Sequence, residues 1–390
     1  MNILYIMRYW PVYGGGETIT ASLANEFVKR NHNVYIAYKY KKISDIMPYQ
    51  IEKKIHEISL DTTETYTNKD ITILHNYIVE KHIDVMINQW GCTKLCFQAK
   101  QNTNCKLITC WHLDIIRKEQ KPTHGKWKIA YSILGESLFQ RIATKRQLDN
   151  HKLNYQLSDK YIFLSPSFAK EYMQLSHIED INHKISAISN PLTYDFQYDP
   201  TLYHTKHNEV LFVGRIFEYH KRLSYVLKIW KNIEKDTSLN NWSLKIVGDG
   251  PDLNKTKELA QSLSLQRVSF EGFQNPQKYY NQASIFMMTS AFEGFGMTLV
   301  EAQQYATVPI VMDTYKSLHD IITNSENGVI IEDNDIEGYT KELIRLMKND
   351  EYRKRLAFNG INSCKIFSIH SIANKWEKLF NELCKQSILR

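Results

Sequence analysis

Two glutamates frame a glycine-punctuated loop in the stretch 291–302, Ala-Phe-Glu-Gly-Phe-Gly-Met-Thr-Leu-Val-Glu-Ala. Glu293 precedes the glycines and Glu301 follows them, with seven residues between the two acids. The apolar run 284–289 comes before and helix-forming residues come after, so the pattern is a strand whose C-terminal end feeds a helix N-terminus. Backbone N–H groups and the helix dipole favour an anion there, and a phosphate would suit it. Were the segment one continuous helix, the acids would lie about 12 Å apart, too far for a glycosidase pair acting across one bond. They read instead as two contacts along an extended ligand. A second role for Glu301 stays open, because Thr298-Leu299-Val300-Glu301 has capping-box spacing and the acid could simply close its own helix terminus. Glu293 has no helix to cap and no obvious partner in the local sequence.

Basic and glycine-rich groups recur at other strand ends. Leu211-Phe212-Val213-Gly214-Arg215-Ile216 reads as a strand running into an arginine, with Lys221-Arg222 opening the next helix. Arg offers a planar fork for phosphate oxygens and Lys a compact charge, so Arg215 and Lys221 together can neutralise a diphosphate. Cations at a helix N-terminus are electrostatically unhelpful unless an anion joins them. Gly248-Asp249-Gly250-Pro251 and Glu271-Gly272-Phe273 follow two further strands. Each by itself is a turn, and Asp249 can be a turn residue. Tyr13-Gly14-Gly15-Gly16-Glu17 follows the first strand, where glycines admit close backbone approach to a ligand. It is not the Gly-x-Gly-x-x-Gly fingerprint, and a flexible turn explains it as well. His112 closes the strand 107–111, at the end where such sheets meet ligands; Asp114 stands near enough in sequence to orient it or to contact an acceptor.

These residues need a scaffold of alternating strands and helices. At 390 residues the chain exceeds one ordinary core, so two domains are expected. Strand patterns fall at 2–7, 33–38, 84–88, 106–111, 160–164 and 184–188, then at 209–214, 243–247, 268–271, 284–288, 308–312 and 328–331. Helical patterns between them predict parallel sheets of the α/β doubly wound kind, one over 1–192 and one over 205–367, with a polar connection at 190–205. Two such domains facing each other would place ligands in a cleft between them.

Composition excludes several classes. No apolar run approaches the ~18 residues of a membrane span, and the first residues lack the basic start of a signal peptide, so a cytoplasmic protein is expected. The six cysteines show no zinc-ribbon spacing, Cys92-x3-Cys96 having no second pair. Asp333-Asn334-Asp335 imitates a metal-binding Asp-x-Asp, but a loop followed by a helix start favours capping acids; no metal and no cofactor are expected. The +7 net charge is concentrated at 121–152, with seven basic residues against two acids. Trp127, Leu134, Leu138 and Ile142 recur there at roughly helical spacing. Such a segment can lie on an anionic membrane through Lys126, Lys128, Arg141, Lys145 and Arg146, or be a solvated helix packed on its domain. No nucleic-acid motif accompanies the charge.

In order along the chain, Gly15-Gly16, His112, Gly214-Arg215 with Lys221, Gly248-Asp249-Gly250-Pro251 and Glu293-x7-Glu301 resemble the signature of retaining glycosyltransferase family 4, enzymes of GT-B fold that include bacterial polysaccharide-biosynthesis glycosyltransferases. The resemblance implies metal-independent transfer of a sugar from a nucleotide-diphosphate donor to a hydroxyl of a glycan or lipid-linked glycan. It assigns Arg215, Lys221, Glu293 and His112 to catalysis. Gly15, Gly16, Gly214, Gly248, Asp249, Phe273, Phe295, Gly296, Met297, Thr298 and Glu301 would hold the donor, with Glu301 on the ribose. It also implies that a last helix, about 368–390, crosses back onto the first domain. An epimerase of the same architecture would need further acids in the first domain, which the sequence does not offer. An inactive partner subunit would be expected to lack Arg215 or Glu293.

Overall fold

The computed structural model describes residues 1–12, 14–41, 50–60, 66–89, 91–122 and 125–385, apart from the side chains of residues 126 and 130. The chain divides into two compact units, Met1–Pro191 with Ile369–Arg390, and Leu192–Ser368. Each is a parallel sheet with helical crossovers, and together they are the two Rossmann-like folds of the GT-B class.

The first unit carries β1 (Asn2–Trp10), β2 (Asn33–Lys41), β3 (His56–Ser59), β4 (Val85–Asn88), β5 (Lys106–Trp111), β6 (Lys160–Phe163) and β7 (Ile185–Ala187), in the order β3-β2-β1-β4-β5-β6-β7. Central strands are continuous apolar runs because both faces are covered: Ile3, Leu4, Ile6 and Met7 are fully buried, as are Val85, Met86 and Ile87. The edge strand β3 was not legible in the sequence. Its His-Glu-Ile-Ser is mostly exposed and pairs only with β2, so nothing selects an apolar pattern. The helix Ile369–Lys385 packs on the helix Gly15–Lys29, with Phe380 5.6 Å from Phe27 and Glu377 held by Arg30 and His32 at 2.8 and 2.9 Å.

The second unit carries β8 (His207–Val213), β9 (Ser243–Val247), β10 (Val268–Gly272), β11 (Ala283–Met288), β12 (Val308–Asp313) and β13 (Val329–Glu332), ordered β10-β9-β8-β11-β12-β13. Its core gathers Val210, Phe212, Ile246, Ile285, Met287 and Ile310 beneath Trp230 and Tyr339. Tyr198 and Tyr203 belong to the same core. Residues 193–204, read from sequence as a connection, are therefore part of this unit.

Candidate functional site

The strand order of the second unit reverses between β8 and β11, the switch point at which loops diverge and doubly wound sheets take ligands. After β8 come Gly214 and Arg215, and the short helix Glu218–Lys221 returns Lys221 to the strand end. A Cβ on Gly214 would lie 3.3 Å from the Lys221 Cε. Lys221 is buried, and its Nζ donates to Glu293 Oε1 in an ion pair. His220 faces the same oxygen, Nε2 at 3.6 Å, with its ring stacked on Phe292 at 4.4 Å. Backbone ties fix both loops: Ala291 N donates to His220 O at 2.7 Å, and Thr289 Oγ1 to Lys221 O at 2.9 Å. Burial acts to raise the Glu293 carboxyl, but Lys221 and His220 outweigh it and hold the pKa down to about 2.

Arg215 is exposed and lies beside the Phe217 ring, with no carboxylate partner among the described residues. Arg222 is used differently. Its φ is +48°, and its guanidinium donates to Thr289 O at 2.6 Å, Ser290 O at 3.2 Å and Asp333 at 2.8 Å. That ion pair absorbs the first acid of Asp333-Asn334-Asp335. Asp335 caps the helix Ile336–Lys348 by accepting from Gly338 N at 2.8 Å. Among the described residues no group of three or more His, Cys, Asp or Glu is arranged to hold a metal.

Gly296 has φ +85°, and a Cβ there would meet the Tyr315 hydroxyl at 2.7 Å. It precedes the helix Met297–Gln304, which no side chain caps, so the N–H groups of Met297 and Thr298 stand at an open first turn. Because the helix starts at Met297, Thr298 lies inside it and the capping box does not form. Glu301 is buried instead, its two oxygens accepting from Thr193 Oγ1 at 2.8 Å and Tyr280 Oη at 3.0 Å. Burial pushes its carboxyl up to about 7 against those two hydrogen bonds. The Phe295 side chain is buried against Phe367, centroids 5.4 Å apart, so only its backbone remains for a ligand.

The neighbouring loops are joined by close glycine approaches. A Cβ on Gly248, whose φ is +144°, would fall 1.9 Å from Gly214 O, and one on Gly250 2.3 Å from Ile216 O. Ile216 N donates to Asp249 O and Gly248 N to Gly272 O, each at 2.8 Å. The Asp249 carboxylate accepts from Gly250 N at 2.6 Å, as a turn residue does. Phe273, just past β10, leaves its ring 40% exposed.

In the first unit, the helix Gly15–Lys29 also starts without a side-chain cap, and a Cβ on Gly15 would meet nothing within 4 Å. Glu17 closes over Gly14, and Gly16 is half-buried; Tyr13 lies outside the described residues. His112 follows β5 and pairs through Nε2 with Gln89, just past β4. Burial pulls its imidazole down to about 4, so it is neutral at pH 7.

Residues 197–363 match the family model of glycosyl transferases group 1. The chain is 26% identical over 389 residues to the Campylobacter jejuni GalNAc-alpha-(1->4)-GalNAc-alpha-(1->3)-diNAcBac-PP-undecaprenol alpha-1,4-N-acetyl-D-galactosaminyltransferase, covering 95% of this chain and 96% of that one. It is 32% identical over 180 residues to the amylovoran biosynthesis glycosyltransferase AmsD of Erwinia amylovora, 45% of this chain and 49% of the relative. Among solved structures, the lipopolysaccharide outer core galactosyltransferase WaaB superposes with a TM-score of 0.71 at 18% identity, over 98% of this chain and 100% of that one. The group 1 region contains Arg215, Lys221, Glu293 and Glu301.

The basic segment departs from a single amphipathic helix. Helix Gly125–Leu157 is broken at Gly135, φ +72° and ψ 167°, so Trp127 and Ile142 do not share one stripe. Among the described side chains of this helix Phe139, Ala143, His151 and Asn154 are buried, while Trp127, Leu138 and Ile142 are 45, 44 and 42% exposed. Lys128, Arg141 and Lys145 are exposed; Arg146 is bound to Glu119 at 2.9 Å and lies over Trp127. The Lys126 side chain is outside the described residues. No described helix is long and apolar enough to cross a membrane.

Sequence reasoning did not find Thr193 and Tyr280, the partners of Glu301, or His220. The first two lie 108 and 21 residues from Glu301 and carry no local signal. His220 could have been noticed as the neighbour of Lys221.

Proposed function

We propose that the protein is a retaining, metal-independent glycosyltransferase. It would move a sugar from a nucleotide-diphosphate donor to a hydroxyl of a glycan, or of a lipid-linked glycan, in surface polysaccharide synthesis. The observation that carries the reading is the buried Lys221–Glu293 pair at the switch point of the unit that matches group 1, where Arg215 follows the same strand β8 and has no carboxylate partner among the described residues. Arg215, Lys221 and the open N–H groups from Gly296 to Thr298 stabilise the departing diphosphate, the preorganised electrostatic contribution that dominates such reactions. Glu293, ionised and fixed, accepts from sugar hydroxyls; Glu301 accepts from the ribose; His112, neutral, contacts the donor sugar. The C1–O bond to the diphosphate breaks as the acceptor oxygen bonds to C1 on the same face. The acceptor proton passes to the departing diphosphate.

The names of the Campylobacter and Erwinia relatives support a glycan acceptor in cell-surface assembly. Exposed Ile129 and Ile133, with exposed Lys128 next to Ile129 in sequence, support docking from the cytoplasm onto an anionic leaflet. Liposome co-sedimentation indifferent to anionic lipid and salt removes the membrane part alone. The core reading is tested by sugar release and transfer from UDP- and GDP-sugars, with and without chelator. No turnover of any donor overturns it, abolition by chelator overturns metal independence, and a product of inverted anomeric configuration overturns retention.

A further inference from the structure

His220 helps to hold the Glu293 charge, yet the roles above give its Nε2 no ligand atom. His220 Nε2 is buried and makes no hydrogen bond among the described residues. It stands 3.6 Å from Glu293 Oε1, beyond hydrogen-bond reach of that oxygen. Buried polar atoms are nearly always partnered, so an orphan beside a binding residue points to a missing ligand group. The ring is not free to seek another partner. Its face lies on Phe292, centroids 4.4 Å apart and planes 6° apart; Phe292 is in turn braced edge-on by Tyr219 at 5.4 Å. Its backbone is held at both groups, N donating to Phe217 O at 3.1 Å and O accepting from Ala291 N at 2.7 Å. The same strand-end loops that aim Lys221 therefore aim His220.

A single hydroxyl fits this geometry. An oxygen about 2.8 Å from each of two atoms spaced 3.6 Å apart completes an open triangle with ordinary hydrogen-bond lengths. It would donate its proton to the Glu293 carboxylate and receive one from the imidazole. The diphosphate is an unsuitable occupant, since the carboxylate beside it would repel an anion; a neutral sugar hydroxyl has both the donor and the acceptor required.

We propose that His220 is a further donor-binding residue, which together with Glu293 clamps one hydroxyl of the transferred sugar and so selects donors by the configuration at that carbon. This rests on the glycosyltransferase reading and adds a residue to it. A site that hydrogen-bonds a hydroxyl rejects analogues that misplace it far more strongly than a merely apolar wall does.

The test uses the full-length protein with a panel of UDP-glucose, UDP-galactose, their N-acetylamino counterparts and GDP-mannose. The wild type is measured first, and absence of turnover with every donor sinks the functional reading before His220 is at issue. With an active donor in hand, His220→Phe keeps the stacked ring and removes Nε2, whereas His220→Gln restores a donor nitrogen at a similar reach. His220→Phe is expected to lower kcat/KM about tenfold or more, to narrow the preference between sugar epimers, and to leave the affinity for free UDP or GDP unchanged. His220→Gln is expected to recover most of the loss. If kcat/KM and epimer preference stay at wild-type values in His220→Phe, or if free-nucleotide affinity falls by the same factor as kcat/KM, the assignment is overturned.

Discussion

Glu293 and Glu301 share one loop and helix yet sit in opposite electrostatic environments. Glu293 meets Lys221 and His220, and its charge is held on. Glu301 meets two neutral hydroxyls, and its charge is discouraged by burial. From the sequence both acids read as contacts along one extended ligand, with a capping role left open for Glu301 alone. The difference teaches that the partners brought by other strands set the role: a permanent anion fixed beside the diphosphate-binding cations, and a polar acceptor whose ionisation is coupled to what binds it.

The largest expected effect breaks the first half of that contrast. Arg215→Ala and Lys221→Met should each lower kcat/KM by about 10²-fold or more, because each removes a preorganised charge. Arg215 is exposed and should leave stability unchanged, whereas Lys221→Met strands a buried carboxylate and should cost roughly 3–5 kcal/mol. Adding Glu293→Gln to Lys221→Met should return much of that stability and none of the activity. Chemical denaturation and steady-state kinetics on the three variants check this, and near wild-type turnover in both single variants would remove the diphosphate site.

A smaller effect sharpens the second half. If Glu301 accepts ribose hydroxyls as a carboxylate, Glu301→Gln should weaken nucleoside-diphosphate binding by roughly 1–3 kcal/mol at pH 8. The gap between wild type and variant should close as pH falls through about 7, where the wild-type group protonates. Calorimetric titration at several pH values reads it directly; an affinity difference of zero at pH 8 rules out the ribose role.

The smallest effects are in stability against pH, and they have opposite signs. The Glu293 carboxyl is lowered from 4.5 to about 2, so its contribution is present above 4.5 and lost as pH falls towards 2. The Glu301 carboxyl is raised from 4.5 to about 7, so the native state holds a proton the unfolded chain has released, and stability declines as pH rises from 4.5 to 7. Glu301→Gln should flatten the neutral-side slope and Glu293→Gln the acid-side slope in unfolding curves across pH. An unchanged neutral-side slope in Glu301→Gln contradicts the buried acid described here.

Much of the scaffold was legible because buried parallel strands must be apolar along their whole length, as in Val85-Met86-Ile87 and Ile285-Phe286-Met287-Met288. The strand-end motifs were legible because glycines such as Gly248 and Gly250 are required where another backbone passes within contact distance. What escaped was set by tertiary pairing. The Lys221–Glu293 pair joins residues 72 apart, and Glu301 is satisfied from residue 193. β3 escaped because an exposed edge needs no apolar code, and the broken helix because Gly135 stands in an otherwise helical pattern.

The placement of the helix Ile369–Lys385 has a consequence for synthesis. The second unit is one uninterrupted stretch, Leu192–Ser368, and has all its strands once that stretch has left the ribosome. The first unit is made first but lacks the helix that covers Phe27 until residues past 369 emerge. Through all of that interval its helix Gly15–Lys29 waits with an apolar face uncovered, so the half of the protein translated earliest is the half finished last. A chain stopped before residue 369 would take Phe380 from Phe27 and Glu377 from Arg30 and His32, while every residue around Lys221 and Glu293 would already be in place.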